Sequence, residues 1–193
     1  MSKNTNHQKR ILIACEMSGV VREAFRKEGY DAWSCDLLPS LIPSEYHIQD
    51  DVINHLNEGW DLMIGHPPCT YLSVSGARWF KERQQQQIMA LDFVKLLMDA
   101  DIPRIAIENP ISVISSKIRK PDQIIQPWMF GHGETKATCL WLKNLPNLVP
   151  TNIVEGREAR IHLMPPSKDR GMLRSITFPG IADAMAEQWG PVL

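Results

Sequence analysis

The sequence predicts one α/β domain: a Rossmann-like, mostly parallel sheet with helices on both faces and an irregular C-terminal half. Short apolar runs alternate with helical patterns from residue 11 to residue 108, an order typical of parallel strands joined by crossover helices. The 193 residues, 44% of them hydrophobic, are enough for one sizeable core. Beyond Pro110 prolines become frequent and the pattern loosens. We therefore expect a single domain over residues 10–193, preceded by a disordered tail at residues 1–9.

Four apolar segments are predicted as the strands of the first half. They are residues 11–15 (ILIAC), 31–36 (DAWSCD), 61–65 (DLMIG) and 102–108 (IPRIAIE). Helices are predicted at residues 20–29, 51–59 and 81–100. Gly29 is expected to cap the first helix. The third helix has the strongest pattern because it carries an apolar stripe: Ile88, Leu91, Val94, Leu97 and Met98. The stretches 37–50 and 66–80 are predicted to be mainly loop.

The second half offers fewer regular elements. Residues 137–142 (ATCLWL) and 159–164 (ARIHLM) are predicted strands, and residues 179–190 are a predicted terminal helix with Pro179 near its start. Residues 117–174 carry ten Lys and Arg against five Asp and Glu, a net charge of +5, whereas the whole chain carries −1. This stretch is either an ordinary solvated surface or a half that faces phosphates.

The composition argues against several classes of protein. The four cysteines are far apart and form no cluster with histidines, so we expect no metal site. No apolar segment approaches the roughly 20 residues that cross a bilayer, and the polar N-terminus resembles no signal peptide. We therefore expect a cytoplasmic protein with reduced thiols and no membrane partner. The oligomeric state stays open.

Polar and reactive residues follow the ends of the predicted strands. In an open parallel sheet ligands bind beyond these carboxyl ends, so the residues are expected to share one edge. They are Glu16, Ser18 and Gly19, then Asp36, then His66, Pro67, Pro68 and Cys69, then Glu108, Asn109 and Pro110. Asp36 is suited to the ribose hydroxyls of a nucleoside cofactor, although aspartate is also common in turns. The Ser18–Gly19 turn would let a ligand approach a helix N-terminus.

Cys69 follows two prolines, which restrict the backbone and stiffen the loop. A stiff loop fixes the direction of the thiol and so favours a nucleophile, although a lone cysteine is more often a packing residue. Glu108 closes the next strand and is expected beside Cys69, with its pKa raised by desolvation so that it can donate a proton near neutral pH. A thiol and a carboxylic acid placed in this way suit attack on an electron-poor ring whose nitrogen the acid protonates.

These residues resemble the motifs of the DNA cytosine-5 methyltransferases. DLMIGHPPCTYLSVSG is similar to the family's fourth motif, with its Pro-Cys pair, and IAIENP is similar to the sixth, Glu-Asn-Val. Cys69 and Glu108 lie 39 residues apart, close to the spacing in compact members. ILIACEMSGVVREAF resembles the first motif, the acidic residue of the second falls at or near Asp36, and IQDDV resembles the third, with Asp51 or Asp50 as its aspartate. The resemblance covers residues 10–115 and extends to short members encoded by phages and prophages.

The resemblance implies an S-adenosylmethionine-dependent methyltransferase that acts on cytosine in DNA. Cys69 would attack C6 of the base while Glu108 holds N3, and C5 would then take the methyl group. The base would be flipped out of a duplex or taken from a single strand. The residues implied at the cofactor are Glu16, Ser18, Gly19, Asp36, Asp51 and Pro67. The residues implied at the substrate are Pro68, Ser73, Asn109 and Lys136.

Some segments depart from the family pattern. Glu16 and Ser18 stand where glycines are usual, and the extra carboxylate would either bind the amino group of the cofactor or disfavour cofactor binding. In GREARIH, Arg160 is the best match to the arginines of the eighth motif, with Arg157 a weaker one, so Arg160 is the third predicted catalytic residue. The tenth motif is not evident in IADAMAEQWG. Only residues 117–175 remain as a reduced substrate-recognition region, which predicts low sequence specificity or a substrate smaller than duplex DNA.

Two functions follow from these patterns. The first is methylation of cytosine C5 in DNA. The second is a relative that binds nucleic acid or cofactor without catalysis, or that acts on single strands or free nucleotides. Aromatic residues of the second half would either stack on bases or belong to the core: Trp128, Phe130 and Trp141.

Overall fold

The computed structural model describes residues 8–193, and within them it shows a seven-stranded sheet in the order β3-β2-β1-β4-β5-β7-β6. The strands are β1 (Arg10–Ala14), β2 (Asp31–Asp36), β3 (His47–Gln49), β4 (Leu62–Gly65), β5 (Arg104–Pro110), β6 (Gln123–Ile125) and β7 (Thr138–Lys143). The first five strands are parallel to one another, and β7 is antiparallel to both β5 and β6. The predicted fold class, a Rossmann-like and mostly parallel sheet, is confirmed.

Helices cover both faces of this sheet. They are α1 (Val20–Lys27), α2 (Gln84–Met98), α3 (Ile114–Lys117), α4 (Arg160–Leu163), α5 (Arg170–Ser175) and α6 (Pro179–Trp189). Short 3-10 helices occur at Val52–His55, Val74–Trp79, Pro127–Met129 and Gly190–Val192. Because successive strand residues point to opposite faces, Ile11 and Ile13 pack with α1 and α6, whereas Leu12 packs with α2. The C-terminal helix thus returns to the first helix of the chain.

The strongest predicted helix is present as α2, but its apolar stripe is shorter than expected. Leu91, Val94 and Leu97 are buried, whereas Ile88 is 52% exposed. Nine residues separate Ile88 from Leu97, which is about two and a half turns of an α-helix. The two side chains therefore point in opposite directions, and only the later residues reach the sheet.

The predicted strand at residues 159–164 is wrong, because four of its residues form the helical turn α4. Its apolar residues are not in the core, and Leu163 is 78% exposed. β6 pairs with the side of β7 that β5 leaves free, so this part of the sheet has no open place beside β7. β6 and β3 were themselves not predicted, since three-residue strands give too short a pattern.

The N-terminal end of the described chain is attached to the domain. Lys9 Nζ lies 3.1 Å from Asp61 Oδ1, and Gln8 Nε2 donates to the carbonyl of Gly29 at 3.1 Å. The rest of the predicted tail, residues 1–7, lies outside the described residues. From residue 8 onward, none of the helices is both long enough and apolar enough to span a membrane.

The packing of the N-terminal end of α6 against Phe130 can be tested by a substitution at Gly180. A Cβ at Gly180 would overlap the carbonyl oxygen of Phe130, a backbone atom that cannot rotate away. We expect Gly180→Ala to lower the free energy of unfolding by about 2 kcal/mol, on the scale of overpacking. The matched control is Gly171→Ala in α5, where a Cβ meets nothing within 4 Å and alanine favours the helix. Urea denaturation of both variants measures the difference, and equal stabilities would contradict this packing of α6.

Candidate active site

The site begins at the parallel pairing of β4 with β5. Gly65 lies opposite Ile107 in this register, so His66, the first residue after β4, reaches the level of Glu108. The expectation that the strand closes at Glu108 is wrong, because β5 continues to Pro110 and Glu108 pairs with Leu140 of β7. A side chain at Gly65 would crowd this pairing, since a Cβ there would lie 2.8 Å from Cδ1 of Ile107. The register therefore brings two segments that are distant in sequence to one point on the sheet edge.

His66 and Glu108 form a buried pair at that point. Nδ1 of His66 lies 2.7 Å from Oε2 of Glu108, and each side chain is only 11% exposed. Burial opposes the ionisation of Glu108, but the hydrogen bond and charge of His66, with the charge of Lys136, outweigh it and lower the pKa of the carboxyl. Burial likewise opposes protonation of His66, but Glu108 and then Glu16 raise the pKa of the imidazole. Each partner thus stabilises the charged form of the other.

This pair corrects one expectation from the sequence. The pKa of Glu108 was expected to be raised by desolvation, and this expectation is wrong because it left out His66. Desolvation is the largest single effect on Glu108, but it is exceeded by the sum of the favourable interactions with the charged form. His66 and Glu108 therefore titrate as a coupled pair, and a proton that is taken up or released belongs to the pair rather than to Glu108 alone.

Cys69 sits on a loop that is fixed at both ends. The carbonyl of the buried Pro67 accepts a hydrogen bond from Nδ2 of Asn109 at 2.8 Å, and the carbonyl of Cys69 accepts from the backbone N–H groups of Leu72 and Ser73. The cysteine residue keeps an exposed surface. Desolvation and then the Glu108 carboxylate raise the pKa of its thiol, while Lys136 and Arg174 act in the opposite direction. The thiol is thus within the electrostatic reach of Glu108 and needs a proton acceptor to become a thiolate.

A small pocket opens beside Glu108 and contains Lys136, one of the residues singled out in the sequence. Its other lining residues are Thr138, Thr177, Phe178 and Ile181. Nζ of Lys136 donates to the carbonyl of Ile176 at 3.3 Å and lies 5.9 Å from the ring centroid of Phe178. The segment before α6 was not predicted to reach the site, and only the packing of α6 on α1 brings it there.

Glu16 turns inward at the end of β1 and binds the first turn of α1. Its carboxylate accepts hydrogen bonds from the N–H groups of Val21 at 2.7 Å and Arg22 at 3.2 Å, and from Oγ of Ser18 at 2.9 Å. Gly19 caps the helix with φ +77°, and a Cβ there would lie 2.6 Å from Nη2 of Arg22. The protein thus fills the anion site at this helix N-terminus with its own side chain.

Asp36 and Asp51 lie near the end of β1. Both carboxylates, after desolvation, contribute to raising the pKa of Cys15 to about 12. Asp36 is partly exposed and its Oδ1 accepts from the N–H of Leu38 at 2.9 Å, while Oδ1 of Asp51 accepts from the N–H of Ile53 at 3.1 Å. The turn role and the predicted cofactor role of Asp36 are therefore compatible, because only one of its oxygens is used in the turn.

The other predicted site residues occupy different positions. Pro68 is exposed beside Cys69, and Ser73 caps the 3-10 helix Val74–Trp79 through a bond from the N–H of Ser75 at 3.4 Å. Arg160 lies on α4 with its side chain 67% exposed, and its Nε is 2.5 Å from Glu134 and 3.3 Å from Glu158. Across residues 8–193 no hydrogen bond or ion pair joins Arg160 to Cys69 or Glu108. Its predicted catalytic role stays a prediction.

A basic and aromatic surface follows Cys69 directly, and sequence reasoning had not singled it out. Trp79 is 40% exposed, and the guanidinium of Arg78 lies 5.1 Å from its ring centroid. The guanidinium of Arg83 lies 5.6 Å from Trp79 and 5.9 Å from Tyr71. We call these four residues the Arg/Trp surface. The signal in the sequence was the run ARWFKER, in which aromatic and basic residues alternate.

Most of the aromatic residues considered in the second half belong to the core. Trp141 is 1% exposed and Phe130 is 2% exposed, so neither is placed to stack on a base. Trp128 is partly exposed, and the guanidinium of Arg157 lies 4.2 Å from its ring. Among the described residues no group of three or more His, Cys, Asp or Glu side chains is arranged to hold a metal ion.

The fold is similar to that of the crystal structure of S. pombe Dnmt2 methyltransferase. The TM-score is 0.50 at 15% sequence identity, with 83% of this chain and 56% of the Dnmt2 chain covered. This chain therefore spans little more than half of the Dnmt2 chain. No model of a known protein family matches, and no curated protein matches. At this identity the similarity shows the fold alone, a Rossmann-like α/β fold.

The contribution of Glu16 to the stability of α1 can be measured separately from a contribution to cofactor binding. We expect Glu16→Gln to lower the free energy of unfolding by about 1 kcal/mol, because the amide loses the charge and one of the acceptors that hold the first turn of α1. Glu28→Gln, at the exposed C-terminal end of the same helix, is the control and should change stability little. Urea denaturation gives the stabilities and calorimetry the affinity for S-adenosylmethionine. Unchanged stability with lost cofactor binding would instead make Glu16 a cofactor ligand.

Proposed function

We propose that this protein transfers a methyl group from S-adenosylmethionine to C5 of a cytosine in DNA through a covalent adduct with Cys69. One observation supports the proposal: the loop of Cys69 follows β4 beside β5, is held by Asn109, and is within the electrostatic influence of the buried Glu108 carboxylate. This edge of a Rossmann-like sheet is where ligands bind. The similarity in fold to Dnmt2 is consistent with methyl transfer.

The two side chains have complementary tasks in this reaction. The sulfur of Cys69 forms a bond to C6, and the electron pair of the C5–C6 double bond becomes available at C5. Glu108 faces N3 and the exocyclic amino group, and a proton at N3 offsets the charge that the attack places on the ring. C5 would form a bond to the methyl group as the sulfur–methyl bond of the sulfonium breaks, with the electron pair of that bond staying on sulfur. C5 then loses its hydrogen as a proton to solvent. The electrons of that C–H bond restore the double bond as the thiolate leaves.

The edge formed by β1 and β2 fits the cofactor in charge and shape. S-adenosylmethionine supplies an electrophilic methyl group on a sulfonium cation, and the nearest carboxylates, Glu16, Asp36 and Asp51, are complementary to its positive charges. Asp36 retains an oxygen for a ribose hydroxyl. Leu37 and Leu38, 70% and 53% exposed, follow it and offer apolar contacts to an adenine. Ser18, Gly19 and Pro67 are the other proposed contacts to the cofactor.

A nucleic-acid substrate is supported by the Arg/Trp surface. Exposed aromatic rings stack on bases of any sequence, and arginines bind phosphates. Tyr71, Arg78, Trp79 and Arg83 lie on the segment that starts at the catalytic loop, so a strand bound there would reach Cys69. Pro68, Ser73, Asn109 and Lys136 remain the proposed contacts to the target nucleotide. Residues 117–175 would add little sequence specificity.

A second candidate function is favoured by Glu16. Its carboxylate occupies the N-terminus of α1, where the related family has a glycine-rich loop. A relative that binds nucleic acid or cofactor without transferring methyl groups would show this change. The intact pair of Cys69 and Glu108 argues for catalysis, because binding alone requires neither a nucleophile nor a buried carboxylate. A phage-type origin, cytoplasmic localisation and the oligomeric state stay expectations from the sequence.

Methyl transfer and covalent attack can be tested together. With methyl-labelled S-adenosylmethionine, duplex DNA, single-stranded DNA and dCMP are offered in parallel, and we expect label in DNA. In DNA that carries 5-fluorocytosine the fluorine cannot leave as a cation, so the adduct should persist and be visible by mass spectrometry. Cys69→Ala should abolish label and adduct but retain cofactor affinity, whereas Cys139→Ala, a buried cysteine on β7, should retain all three. Cofactor binding without label in any substrate would favour the second candidate.

The carboxylate of Glu108 is tested by a near-isosteric change. We expect Glu108→Gln to slow methyl transfer by about 100-fold or more, because the amide cannot carry a proton to N3. Single-turnover rates with saturating cofactor measure the effect. Glu155→Gln, on the exposed surface of the second half, serves as the control with an unchanged rate. Near-normal turnover of the Glu108 variant would remove this residue from the mechanism.

A further inference from the structure

Within residues 8–193, three buried polar atoms without a hydrogen-bond partner lie near the C-terminal ends of β4 and β5. Nε2 of His66, Oδ1 of Asn109 and Oγ of Ser112 have no hydrogen-bond partner among the described residues. Such atoms are rare in folded proteins and call for an explanation at each position. Here they surround the loop of Cys69, since Nδ2 of the same Asn109 holds the carbonyl of Pro67. The orphaned Nε2 belongs to the one imidazole that contacts Glu108.

The charges around His66 come from each element packed against it. Glu108 lies on β5, with Oε2 at 2.7 Å from Nδ1. Glu16, from the turn between β1 and α1, acts on the same imidazole and favours its protonation, whereas Lys136, from the segment before β7, disfavours it. Cys69 follows three positions later on the same loop, and its thiol is under the influence of Glu108. The imidazole of His66 is therefore in contact with Glu108 and under the electrostatic influence of Glu16.

We propose that His66 and Glu108 act as one proton-holding unit, which takes the thiol proton of Cys69 and delivers it to N3 of the cytosine. This inference rests on the proposed function and names His66 as a positioning residue, because it acts on the ring through Glu108. Cys69 loses one proton when its sulfur bonds to C6, and N3 gains one proton in the same phase. The His66–Glu108 unit carries this proton from Cys69 to N3, and the net charge of the site is unchanged.

The physical need for His66 follows from the state of Glu108. A carboxylate whose pKa is lowered holds almost no proton near neutral pH, so it cannot serve N3 unassisted. The imidazole, whose pKa is raised, supplies a site that takes up and releases a proton near neutrality. When the thiolate leaves after methyl transfer, the proton on N3 returns through Glu108 to the unit and then to sulfur. His66 therefore ends the cycle in its starting state.

The sign of the pH dependence follows from this scheme. Below the pKa of His66 the unit already holds a proton and cannot accept that of Cys69. Above it the unit is vacant and the transfer proceeds. The rate of adduct formation should therefore rise with pH through the raised pKa of His66 and then level off, until the thiol itself ionises. His66→Asn places an amide near the position of Nδ1 and removes the titrating group.

The experiment measures the single-turnover rate of adduct formation on 5-fluorocytosine DNA between about pH 5.5 and pH 8.5, the range in which a histidine titrates. We expect a rising limb in the unmodified protein. In His66→Asn we expect a rate at least about 10-fold below the plateau rate of the unmodified protein. We expect no rise of this rate with pH, and an unchanged affinity for the cofactor. His162→Asn, on the exposed surface of α4, should match the unmodified protein.

Each outcome has a distinct meaning. If the rate of the His66→Asn variant still rises with pH as in the unmodified protein, whatever its absolute value, the proton role is overturned and His66 is a structural residue. An unmodified protein that forms no adduct at any pH would overturn the proposed function, and with it this inference. A readout independent of turnover is the NMR titration of the His66 ring. We expect its pKa to be above that of a free histidine and to fall in Glu108→Gln, and an unchanged pKa in that variant would exclude a shared unit.

Discussion

The pairing of β4 with β5 is the constraint on which the site depends. The register puts Gly65, the last residue of β4, opposite Ile107, so His66 meets Glu108 although 42 positions separate them in the sequence. The same pairing sets the loop of Cys69, because Asn109, the residue after Glu108, holds the carbonyl of Pro67. A shift of the register by one residue would turn Glu108 to the other face of the sheet. The carboxylate of Glu108 would then no longer contact His66.

A second carboxylate organises the opposite side of the same edge. Glu16 satisfies the first N–H groups of α1 and so takes the place of an external anion at this helix. α6 packs on α1 and carries Phe178 and Thr177 to the pocket of Glu108. The packing of α6 on α1 thus brings the C-terminal segment to the pocket of Glu108. His66 links the two halves electrostatically, because both Glu16 and Glu108 act on its imidazole.

Patterns in the sequence predicted the regular elements well and the electrostatics poorly. Long apolar segments such as residues 31–36 and 179–190 correspond to β2 and α6, because burial on a strand or helix leaves a period that a sequence displays. The segment 159–164 has a similar composition yet forms α4, since β7 already has partners on both sides. The pKa of Glu108 was expected in the wrong direction. Its sign is set by a histidine 42 positions earlier, and no local pattern reports such a contact.

The order of residues predicted the fold class correctly. It also led to the stiff Pro67–Pro68–Cys69 loop and to Cys69 and Glu108 as a candidate pair, whose shared role stays a prediction. These features are local, or follow from the rule that parallel strands present their carboxyl ends together. The His66–Glu108 contact, the inward turn of Glu16 and the arrival of α6 at the pocket depended on the folded chain. Each joins segments far apart in sequence, and hydrogen bonds and charges act over a few ångströms of space rather than along the chain.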